Sequence, residues 1–258
     1  MIHYHGTPIT PRAKLHELAG KHFCVPFSDG RDAETCVKIG QSVMFDNGAF
    51  SAYTRGETYD SEAFCDWVMQ YLKPPHWAVI PDVIGGSEKQ NMALAEACTI
   101  SPKLCKPVWH LNESLEQLRE LARQWPGVCF GSAGEYWNVG TAAWANRTNE
   151  AFNFLLAEFG ENDMPWVHML RGLNQSGRDW PFASADSCND LQVGQFRIEV
   201  KRRETLAIPQ WVRQIEECTE EGEVPVVAFR QNKQPWRIVI RLDDYVDYMK
   251  FSLQKKPD

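Results

Sequence analysis

The chain alternates short apolar runs, rich in β-branched and aromatic residues, with longer stretches in which apolar residues return every three or four positions. The runs at residues 2–5, 22–27, 42–46, 77–82, 107–111, 128–131, 166–170 and 182–186 predict eight strands. Residues 61–72, 88–98, 114–125 and 142–159 carry the helical spacing. In the third of these, Leu115, Leu118, Leu121, Ala122 and Trp125 form one apolar stripe, and Asn112 or Ser114 can cap its start. Eight strand-then-helix units predict an α/β protein built on a TIM-like (β/α)8 barrel, with a doubly wound open sheet as the other arrangement. The barrel is expected to be compact, because its units fit within 190 residues where ~250 is usual.

After residue 190 the pattern changes. A strand is expected over 196–201, a helix over 209–220 with Pro209 in its first turn, strands over 224–230 and 236–242 around a polar turn, and a closing helix over 243–251 capped by Asp243. The expected domains are a barrel over 1–189 and a small α/β block over 190–258, with no Gly/Ser linker between them.

Composition narrows the class. With 258 residues, 43% hydrophobic and 24% charged, the chain is globular rather than fibrous or disordered. No apolar run approaches the ~20 residues needed to cross a bilayer, and the opening residues lack the features of a secretion signal. The expected location is cytoplasmic, with no membrane partner; an oligomer is compatible with the sequence. The eight cysteines include no CxxC pair, so reduced, buried thiols are expected rather than a zinc ribbon or a disulfide framework. Net charge is −7, unevenly spread: residues 1–190 carry −8 and residues 191–258 carry +1. The whole chain does not advertise nucleic-acid binding, although acidic proteins achieve it through local basic patches or metal ions.

In a (β/α)8 barrel chemistry gathers at the C-terminal ends of the strands. Those ends here carry His5, Asp46, Asp82, His110, the run Gly131-Ser132-Ala133-Gly134-Glu135, His168 with Arg171, and Asp186. A single polar residue at a strand end ordinarily only caps a loop. Its recurrence on seven of the eight strands points to a functional mouth.

The string Phe45-Asp46-Asn47-Gly48-Ala49-Phe50-Ser51 resembles the Asp-Ser-Gly-Gly-Phe-Gln motif of tRNA-guanine transglycosylases. Gly6-Thr7-Pro8, Pro81-Asp82, Gly131 to Glu135 and Ala185-Asp186-Ser187 resemble further elements of that family, in the same order along residues 1–190. The resemblance implies exchange of a guanine-type base in nucleic acid, as in barrel relatives of phages and mobile elements that act on DNA. It implies Asp186 as the nucleophile on the sugar C1′ and Asp46 as general acid/base. Asp82, His110, Gly131, Ser132, Gly134, Glu135 and Arg171 would contact substrate, with Phe50 or Tyr136 stacking on an extruded base. The partners implied are DNA or RNA and a free purine or deazapurine. No cofactor is expected in the barrel, since the family's cysteine-rich zinc site is missing, and Ala49 and Ser51 replace the family's Gly and Gln.

The same histidines allow another reading. His3 and His5 on the first strand, His110, His168 and Asp186 are similar to the ligand set of metal-dependent amidohydrolases, which would bring Zn2+ and a small-molecule substrate. A third possibility is a DNA-binding module whose barrel is not catalytic.

In the C-terminal block, Asp190 and the tripeptide Glu199-Val200-Lys201 resemble the core of PD-(D/E)xK nucleases, and the order of elements resembles phage Holliday-junction-resolvase-like proteins. The resemblance implies Mg2+ on Asp190 and Glu199, with Glu199 and Lys201 catalytic, and phosphate contacts from Arg202, Arg203, Arg230 and Arg237. Glu-x-Lys is also common as a solvated pair on exposed strands, worth ~0–1 kcal/mol.

Overall fold

The structure is a computed structural model. It describes residues 1–258 except 10, 11, 179, 188, 189, 194, 195, 203–205, 218, 220, 221, 232, 233 and 255–258; the side chains of 174, 187, 190–193, 196–202 and 251–254 also lie outside the description. The chain divides into two compact units, Met1–Cys188 and Asn189–Asp258.

The first unit is an α/β protein whose nine-stranded sheet is parallel throughout. Its strands are β1 (Ile2–Gly6), β2 (His22–Pro26), β3 (Ser42–Asp46), β4 (Trp77–Val79), β5 (Cys105–Lys106), β6 (Val108–His110), β7 (Gly127–Gly131), β8 (Trp166–Met169) and β9 (Ser184–Ser187). The spatial order is β5-β4-β3-β2-β1-β9-β8-β7-β6. The two edge strands are halves of one run interrupted at Pro107. On one side Leu104 O and Lys106 O accept from Ala78 and Ile80; on the other, Pro107 O accepts from Cys129 and the Leu111 N–H donates to Gly131 O. The sheet's two ends therefore meet in a single segment, and the sheet is barrel-like and nearly closed. It is consistent with the expected TIM-like barrel. The half before Pro107 escapes the apolar pattern because it contains Lys106.

Two buried clusters follow from the alternation of side chains along each strand. The inner one holds Tyr4, Cys24, Met44, Trp77, Val79, Val108 and Cys129. The outer one includes Phe23, Val25, Val43, Phe45, Trp109, Phe130 and Val167, which face the helices. Helix α1 (Ala33–Ile39) follows β2. Helix α2 (Ala49–Arg55) begins within the Asp46 string and is an addition to the expected helices. Then come α3 (Ser61–Met69), α4 (Glu88–Ala97), α5 (Leu115–Gln124) and α6 (Ala142–Phe159). Helix α5 shows how the pattern becomes structure. Ser114 is its cap, accepting from the Gln117 N–H at 3.2 Å, and the stripe residues Leu118 and Leu121 are completely buried, worth ~2 kcal/mol each. Six cysteines of this unit, at 24, 36, 65, 98, 105 and 129, are free thiols.

The second unit has a four-stranded sheet of β10 (Asp190–Val193), β11 (Phe196–Arg202), β12 (Val224–Arg230) and β13 (Arg237–Ile240), in that order. Strands β10 and β11 are antiparallel, β11 and β12 parallel, β12 and β13 antiparallel. Helix α7 (Ile208–Glu217) buries Trp211 and Ile215 against Val227 and Phe229, and α8 (Leu242–Gln254) closes the unit. Strand β10 is an addition to the expected elements: Asp190 begins a strand rather than sitting in a loop. Among the described residues no helix is long and apolar enough to cross a membrane.

Candidate active site

The C-terminal ends of the barrel strands bring together polar residues that lie far apart in sequence. Asp46 closes β3. The chain then turns through Gly48, whose φ of +81° is left-handed, and a Cβ there would stand 3.3 Å from the Ser28 nitrogen. Asn47 ties this turn to the next strand. Its Oδ1 accepts from the Ala49 N–H at 2.8 Å, and its Nδ2 donates to Ile80 O and to Asp82 Oδ1, both at 2.8 Å. Asn47 is buried, so each of these bonds replaces water it has lost.

Asp82 is held from its other side by His110, whose Nε2 lies 3.0 Å from Asp82 Oδ2. The Nδ1 of His110 is 3.3 Å from Glu113 Oε1, and Asn91 Nδ2 donates to that same oxygen at 2.9 Å. All four residues are buried. Burial disfavours the charge on His110, yet the hydrogen bonds and charges of Asp82 and Glu113 outweigh it and push its pKa up to about 9. An imidazolium between two carboxylates is the result. Gly131 passes close over this histidine, since a Cβ there would meet His110 Cδ2 at 3.1 Å.

Across the mouth, Asp186 on β9 accepts from His168 Nε2 at 3.2 Å and from the Arg171 backbone N–H at 2.9 Å, both through Oδ1. His168 Nδ1 lies 2.7 Å from Ser184 Oγ. Burial lowers the pKa of His168, so the ring is neutral; a hydroxyl donating to Nδ1 leaves the proton on Nε2, aimed at Asp186. Arg171 adopts φ +58°, an unusual conformation for a side-chain-bearing residue, and it is this turn that presents its N–H to Asp186. Its guanidinium donates to Ser132 O at 3.2 Å and lies over two rings, 4.7 Å from the Phe50 centroid and 4.4 Å from Trp137.

Asp46 stands among these groups. Burial raises its pKa first, then the negative charges of Asp186 and Asp82; the Gly48 N–H and Arg171 oppose them, and the balance is about 7. Tyr59 is a neighbour: Asp82 and Asp46 both act on its ring hydroxyl, which is buried without a hydrogen-bond partner among the described residues.

The sequence-based residues divide accordingly. Asp46, Asp82, His110, Arg171 and Asp186 meet at the mouth. Phe50 joins it through Arg171, with Trp137 rather than Tyr136 as its aromatic partner. Ser132 uses its hydroxyl to accept from Trp144 Nε1 at 3.1 Å, leaving its backbone to the site. Gly134 and Glu135 lie on an exposed short turn. Asn47, Asn91, Glu113, Ser184, Tyr59 and Trp137 were not singled out. Of these Asn47, between Asp46 and Gly48, Glu113, three residues after His110, Trp137, next to Tyr136, and Ser184, two residues before Asp186, had a nearby signal. Of the residues in the metal-site reading, His168 and Asp186 lie together at 3.2 Å, His3 Nε2 sits 2.6 Å from Ser176 Oγ, and His110 and His168 have both ring nitrogens on protein partners. Among the described residues no three His, Cys, Asp or Glu side chains group as a metal requires.

In the second unit the register sets Asp190 opposite Glu199, with Lys201 opposite Phe229. The side chains of Asp190, Glu199, Lys201 and Arg202, and Arg203 altogether, lie outside the described residues. The Arg230 guanidinium lies over Trp236 at 5.0 Å. Compared with protein-family models, curated proteins and solved structures, the chain matches none.

Proposed function

We propose that the barrel is a nucleic-acid transglycosylase that exchanges a guanine-type base, with DNA as polymer and a free purine or deazapurine as incoming base. The observation that carries this reading is the meeting of Asp46, Asp82 and Asp186 at one end of the barrel, with Asp46 poised at about 7. A carboxyl group so poised can give and take a proton near neutral pH. In this reading an oxygen of Asp186 attacks C1′ of the sugar. The bond from C1′ to the base nitrogen breaks, its electron pair stays with the base, and Asp46 supplies the proton. The incoming base then loses a proton to Asp46, its nitrogen attacks C1′, and Asp186 leaves as carboxylate. The hydrogen bonds from His168 and Arg171 orient Asp186 for attack. Asp82, pinned by Asn47 and His110, presents its remaining lone pairs to the base edge. Backbone N–H groups from Gly131 to Gly134, with Glu135 beyond, would meet the base from the neighbouring strand. Phe50 and Trp137 offer flat faces to it.

The test is incorporation of radiolabelled guanine or 7-deazaguanine into duplex DNA, single-stranded DNA and tRNA by the full chain. Label is expected to enter one polymer, to be lost in Asp186→Ala, and to fall at least ~100-fold in Asp46→Asn. No label in any polymer, or undiminished label in Asp186→Ala, overturns the reading.

For the second unit a nuclease-like role is supported by the register of Asp190 against Glu199 and by the order strand, strand, helix, parallel strand. Asp190 and Glu199 would hold Mg2+, which when bound supplies a Lewis acid and an activated water. Mg2+-dependent cleavage of branched or duplex DNA is expected, and cleavage that persists in Glu199→Ala refutes it.

A further inference from the structure

The N-terminal ends of the strands, opposite the carboxylates, enclose a cleft of about 510 Å³. That volume is in the range of small-molecule sites. Its walls are flat and apolar, with Trp77, Trp166, Pro75 and Pro126 among them. Its charged lining is of one sign: Lys103 and Lys106 face it, and among the described residues no aspartate or glutamate does. This is unexpected in a chain of net charge −7.

Lys106 is the central feature. It follows Cys105 on β5, and its ammonium lies 3.9 Å from the centroid of Trp77 and 4.3 Å from that of Trp166. Among the described residues no carboxylate lies within ion-pair distance of it. The histidines of the cleft add little to this positive charge. His22 and His76 are both shifted towards the neutral form by burial, and His76 Nδ1 accepts from the Val43 N–H at 3.0 Å. Burial also lowers the pKa of Lys106, to about 8. Two π faces hold a cation less well than an anion does, so the arrangement has an unfilled counter-ion position beside flat walls. A structural lysine in a barrel interior is ordinarily paired with a carboxylate, and among the described residues this one has none.

We propose that this cleft is a second ligand site, for a small planar organic anion whose carboxylate or phosphate pairs with Lys106 and whose ring lies between the tryptophan and proline walls. The proposal is independent of the chemistry at the opposite mouth.

The first test is titration calorimetry of the full chain with 2-naphthoate and with the neutral 2-naphthylmethanol. The anion is expected to bind at least tenfold more tightly, and Lys106→Met to erase that preference while leaving the thermal midpoint within a few degrees. Equal affinity for the two probes, or a preference unchanged in the variant, overturns the proposal. The second test needs no variant. Pyridoxal 5′-phosphate at pH 8 condenses with an unprotonated amine, losing water to form an imine, and borohydride reduces that imine to a stable secondary amine that peptide mapping locates. Lys106 is expected to be labelled several-fold faster than the exposed Lys14, and 2-naphthoate to protect it. Labelling of Lys106 no faster than Lys14, or without protection, refutes the site.

Discussion

The imidazolium of His110 makes a quantitative claim about stability. In the unfolded chain a histidine titrates near ~6.5, whereas in the folded barrel His110 holds its proton up to about 9. Below pH 6.5 both states are protonated, and the stabilisation by Asp82 and Glu113 is fully present. Between 6.5 and 9 the folded state keeps a proton that the unfolded chain has released, so stability falls as pH rises, and above 9 the contribution is gone. At ~1.4 kcal/mol per pH unit the rise is worth about 3 kcal/mol, with little screening discount because His110, Asp82 and Glu113 are all buried. The perturbation is His110→Gln, which keeps a donor but cannot carry charge. At pH 6 it is expected to cost ~3–5 kcal/mol, because two buried carboxylates lose their cation. At pH 9.5 the cost is expected to shrink by about 3 kcal/mol. Urea unfolding of both proteins at the two pH values gives the four numbers, and the shared pH dependence of all other groups cancels in the difference. A cost that is the same at pH 6 and pH 9.5 refutes the argument, as does a His110 ring proton that titrates by NMR near ~6.5.

Other expectations follow from the same mouth. Asp46 is raised towards 7 by burial and by Asp186 and Asp82, so its ionisation costs stability as pH climbs from ~4 through 7. Asp46→Asn is therefore expected to stabilise the barrel at pH 8 by ~1–3 kcal/mol and to leave it unchanged near pH 4, read by thermal unfolding; destabilisation at pH 8 contradicts the repulsion. Asn47→Ala removes two donated bonds that tie the end of β3 to the segment after β4 and one accepted bond that closes its own turn. A loss of ~2–4 kcal/mol is expected in urea unfolding, and a loss under ~0.5 kcal/mol would show that the network is not structural. The buried Tyr59 hydroxyl has no partner among the described residues, so Tyr59→Phe is expected to leave the thermal midpoint unchanged or raised. A marked fall in stability would reveal a partner for that hydroxyl.

Much of the barrel was legible because its strands are buried on both faces. Runs such as Ser42–Asp46 and Gly127–Gly131 read as strands from composition alone, since only residues that tolerate double burial can stand there. Helix α5 was legible for the complementary reason: its one buried stripe and its Ser114 cap are both local. Helix α2 was not, because Ala49–Arg55 buries only Ala49 and so leaves no periodic trace. Strand β10 was missed because its pairing with β11 decides its conformation more than its own residues do.

The candidate site divides along the same line. Asp46, Asp82, His110 and Asp186 could be nominated one by one, because each polar residue interrupts an apolar run at the end where barrels place their chemistry. Their partners could not. Asn47 and Asp82, Asn91 and Glu113, and His168 and Asp186 are separated by 35, 22 and 18 residues, and it is the pairing of β3 with β4 and of β8 with β9 that brings the first and last of these pairs within hydrogen-bond distance. The cation at Lys106 is the extreme case, since nothing near it in sequence places it against two tryptophan rings. Sequence by itself determined which residues could be buried and which strand ends would be polar, because both follow from the local free energy of leaving water. Which carboxyl group holds its proton towards neutral pH, which histidine keeps its charge and which lysine faces no carboxylate among the described residues were decided by the tertiary structure alone, because charges interact through space and burial strengthens those interactions only after the barrel has formed.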